Sequence, residues 1–140
     1  PCAVRWPARI KPGTTSAQTA ITMDLLPTIL SAAGIRPSST APPDGIDLLP
    51  FLTADTPAIA RTMFWRYKRA AIRVKAVRYG DWKYVHDASG EQLFNLAQDP
   101  LEQHDVSLVN PRSLAEIKSM LASWENEVRA PRLAAFRAGA

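Results

Sequence analysis

The sequence predicts an α+β chain in two unequal parts. Residues 1–58 read as the edge of a larger domain. Residues 59–130 read as a small four-stranded antiparallel sheet packed on a C-terminal helix, and residues 131–140 as a tail. Three observations carry this. A helix pattern with signals at both ends occupies residues 24–34, four short alternating segments divided by turn residues fill 62–96, and a second helix pattern with one apolar stripe runs from 110 to 128.

The chain opens on an apolar run between Pro1 and Pro7, suited to a strand end or an extended lead-in, and Pro12-Gly13 marks a turn. Asp24 is placed to cap the first helix with its carboxylate, and Pro27 falls in the first turn, where its missing N–H has no partner to lose. Leu25, Leu26, Ile29, Leu30 and Ala33 line one side, and Gly34 stands where the chain leaves the helix in a left-handed conformation. That stripe must be buried against something, most often a sheet, and the first 60 residues offer none. Residues 38–47, with Pro42, Pro43 and Gly45, form a loop, followed by a short helical turn at Leu48 to Leu52.

From Arg61 the texture changes. Thr62 to Tyr67 is aromatic-rich and fits a strand. Ala70 to Tyr79 alternates, with Ile72, Val74 and Ala76 on one face and Arg73, Lys75 and Val77 on the other. Gly80-Asp81 is a two-residue turn, Trp82 to His86 returns, and Gln92 to Leu96 makes a fourth strand after a turn at Asp87–Gly90. Trp65 and Trp82 read as core anchors of this meander rather than as platforms for sugar rings. Asn110 caps the second helix with Pro111 at its first position, and Leu114, Ile117, Leu121, Trp124 and Val128 form the stripe that covers the meander.

Composition narrows the function classes. Apolar residues make up 46% of the 140 and charged residues 21%, the balance of a globular chain. The uncharged apolar stretch from Leu25 to Ile35 runs for 11 residues, well short of the ~20 a spanning helix needs, so no membrane partner is expected. The first residues do not have the pattern of a signal peptide, and compartment stays open. One cysteine, Cys2, makes no internal disulfide and reads as a buried strand residue. His86 and His104 lie 18 residues apart without ligand spacing around them and read as solvent-facing. The net charge of +4 is concentrated: between Arg61 and Lys83 there are eight basic residues and one acidic, Asp81. Such a patch attracts anionic partners. With Trp65, Tyr67 and Tyr79 interleaved it also allows a nucleic-acid-binding module as an alternative, although no nucleic-acid motif accompanies it.

These elements, in this order, resemble the sulfatase family of the alkaline-phosphatase-like fold over residues 1 to 128. Pro1 to Gly13 resembles the stretch after the family's central Gly-Gly-x-Arg segment. Asp24 to Leu30 with Ala33-Gly34 resembles the succeeding helix, and Asp44 to Leu48 the next loop. Arg78 to Tyr84, Leu93 to Leu96, Asp99-Pro100 and Glu102 resemble the C-terminal meander and the exit from it.

The resemblance implies a C-terminal part of a sulfuric ester hydrolase that closes and shapes the substrate cleft. The family's nucleophile is a formylglycine made from the cysteine or serine of a Cys-x-Pro/Ala-x-Arg motif, and its metal is a divalent ion, usually calcium. Cys2-Ala-Val-Arg-Trp6 does not fit that motif, and no acidic cluster stands ready for a metal. Both groups are therefore expected outside this sequence, and the chain alone is expected to be inactive. Arg66, Tyr67 and Lys68 are the candidates for contact with a sulfate ester substrate. The expected partner is the missing N-terminal part of the enzyme, or a second copy through the exposed helix face. Phosphonate and phosphodiester hydrolases share this type of tail and remain the second alternative.

Overall fold

A computed structural model describes residues 2–54 and 56–128; the expected tail at 131–140 lies outside them. The chain divides into two compact units, residues 1–60 and 61–140.

The first unit is helix and loop, with no strand among its described residues. A single 3-10 turn, Thr22–Asp24, leads into α1 (Leu25–Ala32), and α2 (Leu49–Thr53) comes after a loop. Asp24 is fully buried, but it does not cap α1 in the expected way. Its carboxylate accepts the backbone N–H of Ile21 at 2.8 Å, upstream of the helix, and that of Ile46 at 2.9 Å, 22 residues later. The carboxylate is used to pin the 44–48 loop rather than the helix start. Thr28 adds a second pin: its hydroxyl donates to the Asp24 carbonyl and accepts from the Leu48 N–H at 2.9 Å.

Gly45 is required by this closeness. A Cβ there would collide with the Met23 carbonyl and lie 2.6 Å from the Asp24 nitrogen. At the other end of α1 the expected left-handed Gly34 is present, with φ +69°. Ile35 N–H reaches back to the Leu30 carbonyl at 2.8 Å and Gly34 N–H to that of Ser31, which satisfies the last carbonyls of the helix. The apolar stripe is not covered: Leu25, Leu26 and Ile29 are exposed, and Pro27 is the buried residue of α1. Cys2 is exposed and lies in no strand, which corrects the expectation of a buried strand thiol.

The second unit is the expected meander. Strands β1 (Thr62–Arg69), β2 (Ile72–Tyr79), β3 (Trp82–Asp87) and β4 (Gly90–Asn95) pair in the order β1-β2-β3-β4, all antiparallel. Gly80 takes φ +56° in the two-residue turn that sets Tyr79 opposite Trp82. Helix α3 (Pro111–Glu127) covers one face. Pro111 opens it as expected, but the Asn110 side chain donates back to the Val106 carbonyl instead of capping the helix.

Register explains the core. Val77 of β2, Tyr84 of β3 and Leu93 of β4 share a row across the sheet and meet Ile117 and Leu121 of α3, all five buried. Phe64, Trp82, Leu114 and Trp124 pack around them, and the Phe64 and Trp124 rings stack at 5.0 Å between centroids. Trp82 is thus the core anchor it was expected to be. Trp65 is not: one residue from Phe64, it points to the opposite face and is 40% exposed. Beyond β4 the chain zips back along that strand. Val106 N–H donates to the Leu93 carbonyl at 2.8 Å, and Leu93 N–H donates to the Asp105 carboxylate at 3.0 Å. These bonds occupy backbone groups that an edge strand would otherwise leave open.

Two substitutions test this account. Ile117→Ala is expected to cost about 2–5 kcal/mol, because the vacated space lies beneath three strands, read as the loss in urea unfolding of the 61–128 unit. Gly45→Ala is expected to destabilise the first unit by about 1–3 kcal/mol through overpacking, with chymotrypsin cleavage within residues 21–48 as the readout.

Candidate functional site

The basic segment from Arg61 to Lys83 folds into the β1–β2 hairpin and the start of β3, and the pleat sorts its side chains. Residues paired across the strands share a face. Phe64, Arg66 and Lys68 on β1 therefore lie with Val77, Lys75 and Arg73 on the α3 face, while Trp65, Tyr67 and Arg69 lie with Ala76, Val74 and Ile72 on the outer face.

On the α3 face, Glu125 gathers the charge. Its carboxylate, 13% exposed, takes Lys75 Nζ at 2.9 Å and the Arg66 guanidinium at 3.9 Å. That guanidinium also sits 5.6 Å from the centre of the Trp124 ring, a favourable placement for a cation over a π face. At the tip, Ala70 holds φ +49°, a conformation costly for a residue with a Cβ. Arg73 folds over it, donating to the Ala70 carbonyl at 2.6 Å and to that of Ile72 at 3.2 Å.

The candidate trio Arg66, Tyr67 and Lys68 is therefore contiguous in sequence and divided in space. Arg66 is tied to α3, Lys68 shares that face nearer the tip, and Tyr67 projects from the other side with half its surface exposed. The structure brings Arg66 and Lys68 together and separates Tyr67 from them.

Further acidic residues fix the segments around the sheet. Glu102, at φ +57°, receives Lys83 Nζ on both oxygens at 2.6 Å. Glu91 accepts from Lys118 of α3 at 2.7 Å and from the Tyr84 hydroxyl at 3.0 Å. The Lys118 bond is the main cause that holds the Glu91 carboxyl below its ordinary value, and burial of Tyr84, followed by its bond to Glu91, raises the phenol well above its own. The backbone N–H of His104 chiefly lowers Asp99, while the His104 ring is exposed, as expected for that histidine. At Asp105 burial pushes the carboxyl upward, but the N–H groups of Leu93 and Ser107 and the Ser107 hydroxyl together bring it down.

Two depressions belong to single units. One of about 370 Å³ is lined by Thr22, Met23, Leu26, Pro42, Pro43 and Asp44; one of about 460 Å³ lies over Pro111, Leu114, Ala115, Lys118 and Ser119. Neither assembles a nucleophile with a base. Among the described residues no three His, Cys, Asp or Glu side chains are grouped closely enough to hold a metal ion. No described helix is long and apolar enough to cross a membrane.

Sequence reasoning missed Glu125 and Asp105, and it placed Glu102 at the exit from the meander without its partner Lys83, because contacts 50, 12 and 19 residues apart leave no local signal.

The comparisons with known proteins fit this arrangement. The family model for the C-terminal part of N-sulphoglucosamine sulphohydrolase matches residues 1–130. Choline-sulfatase of Rhizobium meliloti (strain 1021) is 32% identical over 114 residues, 75% of this chain and 22% of that protein. Steryl-sulfatase of Mus musculus is 34% identical over 88 residues, 63% of this chain and 14% of that one.

Among solved structures, Ps i-CgsB in complex with k-i-k-neocarrahexaose superposes with a TM-score of 0.75 at 26% identity, over 86% of this chain and 27% of that one. BT1596, a 2-O GAG sulfatase, gives 0.59 at 25% identity, over 76% and 25%. The chain belongs to the sulfatase family, within the alkaline-phosphatase-like fold, and corresponds to the family's C-terminal portion. It spans about a quarter or less of the length of these relatives.

The lowered carboxyls of Glu91, Asp99 and Asp105 give a pH dependence of definite sign. A carboxyl depressed in the folded state stabilises it above the unfolded value near ~4, and that contribution is lost as pH falls through the lower folded value. Thermal unfolding followed by circular dichroism is expected to be flat between about pH 5 and about pH 9, to weaken below about pH 4, and to weaken again above about pH 10, where the raised Tyr84 phenol resists ionisation in the folded state. Asp105→Asn should cost on the order of 1 kcal/mol at pH 7, given its exposure, and should reduce the acid-side decline.

Proposed function

We propose that this chain is the cleft-closing C-terminal part of a sulfuric ester hydrolase. On this reading it packs on the rest of the enzyme through the uncovered side of α1, and its β1–β2 hairpin borders the substrate. The observation that carries the reading is the match of residues 1–130 to a C-terminal sulfatase family, which embraces both units and every element described above. The curated relatives are named as sulfatases, which favours sulfate esters over phosphonates and phosphodiesters.

Formylglycine and a divalent metal, placed by this reading in sequence outside the chain, would supply the nucleophile and the charge against the sulfate oxygens. The chain's own contribution is shape and positive potential. Lys68 and Tyr67, both exposed near the hairpin tip, meet the anionic substrate from its two faces, and Arg66, held by Glu125 and Trp124, sets the local potential. The exposed Leu25, Leu26 and Ile29 provide the apolar contact with the remaining sulfatase body; a second copy of the chain is the other occupant this face accepts.

The test compares residues 1–140 alone with the longer polypeptide that carries them. The chain alone is expected to release no product from 4-methylumbelliferyl sulfate with calcium added, and the longer polypeptide to hydrolyse it. In the longer form Lys68→Ala with Tyr67→Ala is expected to raise KM about tenfold, the scale of one lost charge-assisted contact. Turnover by the chain alone would overturn the reading, as would a longer form that ignores sulfate esters and cleaves phosphodiesters.

A further inference from the structure

We propose that the tip of the β1–β2 hairpin is a proteolytic processing site, where a serine endopeptidase specific for paired basic residues hydrolyses the Arg69–Ala70 peptide bond and leaves the two pieces assembled. The inference is independent of the function proposed above, because it concerns the covalent fate of the chain and not the ester the parent protein acts on.

Sequence and fold single out the same bond. Lys68-Arg69 is the only pair of adjacent basic residues in the 140, and with Arg66 before it and Ala70 after it the run reads Arg-x-Lys-Arg-Ala. A protease of this class reads such a run with acidic subsites, where each basic side chain meets a carboxylate. The fold holds the pair where it can be read. Strand β3 pairs with β2 only from Lys75 to Tyr79, so the rungs Tyr67–Val74, Lys68–Arg73 and Arg69–Ile72 project beyond the sheet as a two-stranded ribbon. Residues 65–73 are all exposed. Carboxylates hold Arg66, Lys75 and Lys83, whereas Lys68 and Arg69 have no ion pair or side-chain hydrogen bond among the described residues.

The same tip opens more readily than the rest of the sheet. A protease takes its substrate as single extended chain, so the end of the ribbon must part first. Two strands without a third are marginal, and opening of such an end costs far less than global unfolding. Ala70 holds φ +49° at the first position of a two-residue turn, a place that ordinarily falls to glycine, and opening relieves that cost. Two hydrogen bonds from Arg73, to the Ala70 and Ile72 carbonyls, oppose it. In the step itself the protease serine adds to the Arg69 carbonyl carbon, the C–N bond breaks, and Ala70 leaves as an amine carrying the serine's proton. Water then releases Arg69 as a carboxylate and returns a proton to the serine. The rungs from Thr62–Tyr79 to Arg66–Lys75 remain, and Phe64 stays stacked on Trp124, so the core survives the cut.

The test is limited digestion of the 140-residue chain, and of the longer polypeptide that carries it, with kexin, a subtilisin-type endopeptidase specific for paired basic residues. Amino-terminal sequencing is expected to find a new end at Ala70 in both. Fragments 1–69 and 70–140 of the shorter chain are expected to separate on a denaturing gel, to co-elute in gel filtration and to keep the parent's circular dichroism spectrum. Arg69→Gln is expected to abolish the cut, and Lys68→Gln to slow it about tenfold, the scale of one lost charge-assisted hydrogen bond. Arg73→Ala is expected to speed it about threefold by freeing the tip. No cut at Arg69–Ala70 in the parent overturns the proposal, as does an equal rate in Arg69→Gln. A bond open in the 140-residue chain and closed in the longer polypeptide also overturns it, as do fragments that elute apart.

Discussion

One helix covers one face of the sheet, and the rest of the second unit is organised by that cover. Ile117 and Leu121 reach the row formed by Val77, Tyr84 and Leu93, and burial of these five side chains is the core of the unit. Because side chains alternate along a strand, filling that row commits every odd-numbered residue of β1 to the other side. A slip of one residue in β1 would bury Trp65 and expose Phe64, and it would break the stack on Trp124. The same constraint thus selects which basic and aromatic side chains are held against α3 and which are presented outward.

Charge is arranged around this core to fix segments that have little apolar surface of their own. Glu125 draws Arg66 and Lys75 onto α3, Glu91 joins β4 to Lys118, and Glu102 joins the chain after β4 to Lys83. Each pair is at least partly exposed, so each contributes modestly to stability. Their value lies in orientation: of the eight basic residues from Arg61 to Lys83, Glu125 holds Arg66 and Lys75 against α3. In the first unit the buried Asp24 has a comparable role with backbone partners, clamping a loop that Gly45 alone allows to approach.

The sulfatase assignment and the uncovered surfaces are consistent with each other. A chain that spans about a quarter or less of its relatives carries α1 with Leu25, Leu26 and Ile29 in solvent. An apolar helix face of that kind marks an interaction site, which under the proposed function the remainder of the hydrolase would cover.

What the sequence by itself determined was whatever local periodicity and turn chemistry encode. Gly34 ending α1, Gly80-Asp81 closing a hairpin, the alternation of β2 and the stripe of α3 were all legible, and with them the order of the meander and the family it resembles. Tertiary structure decided the partners. Asp24 stood where a helix cap belongs, but its carboxylate found Ile46 22 residues away. Trp65 and Trp82 looked alike as strand aromatics, and only the register sent one inward and the other out. Arg66, Tyr67 and Lys68 looked like a single cluster until the pleat divided them. A short window of sequence records which side chains alternate, but not which face the helix will cover, because that choice depends on burial summed over strands and a helix up to about sixty residues apart.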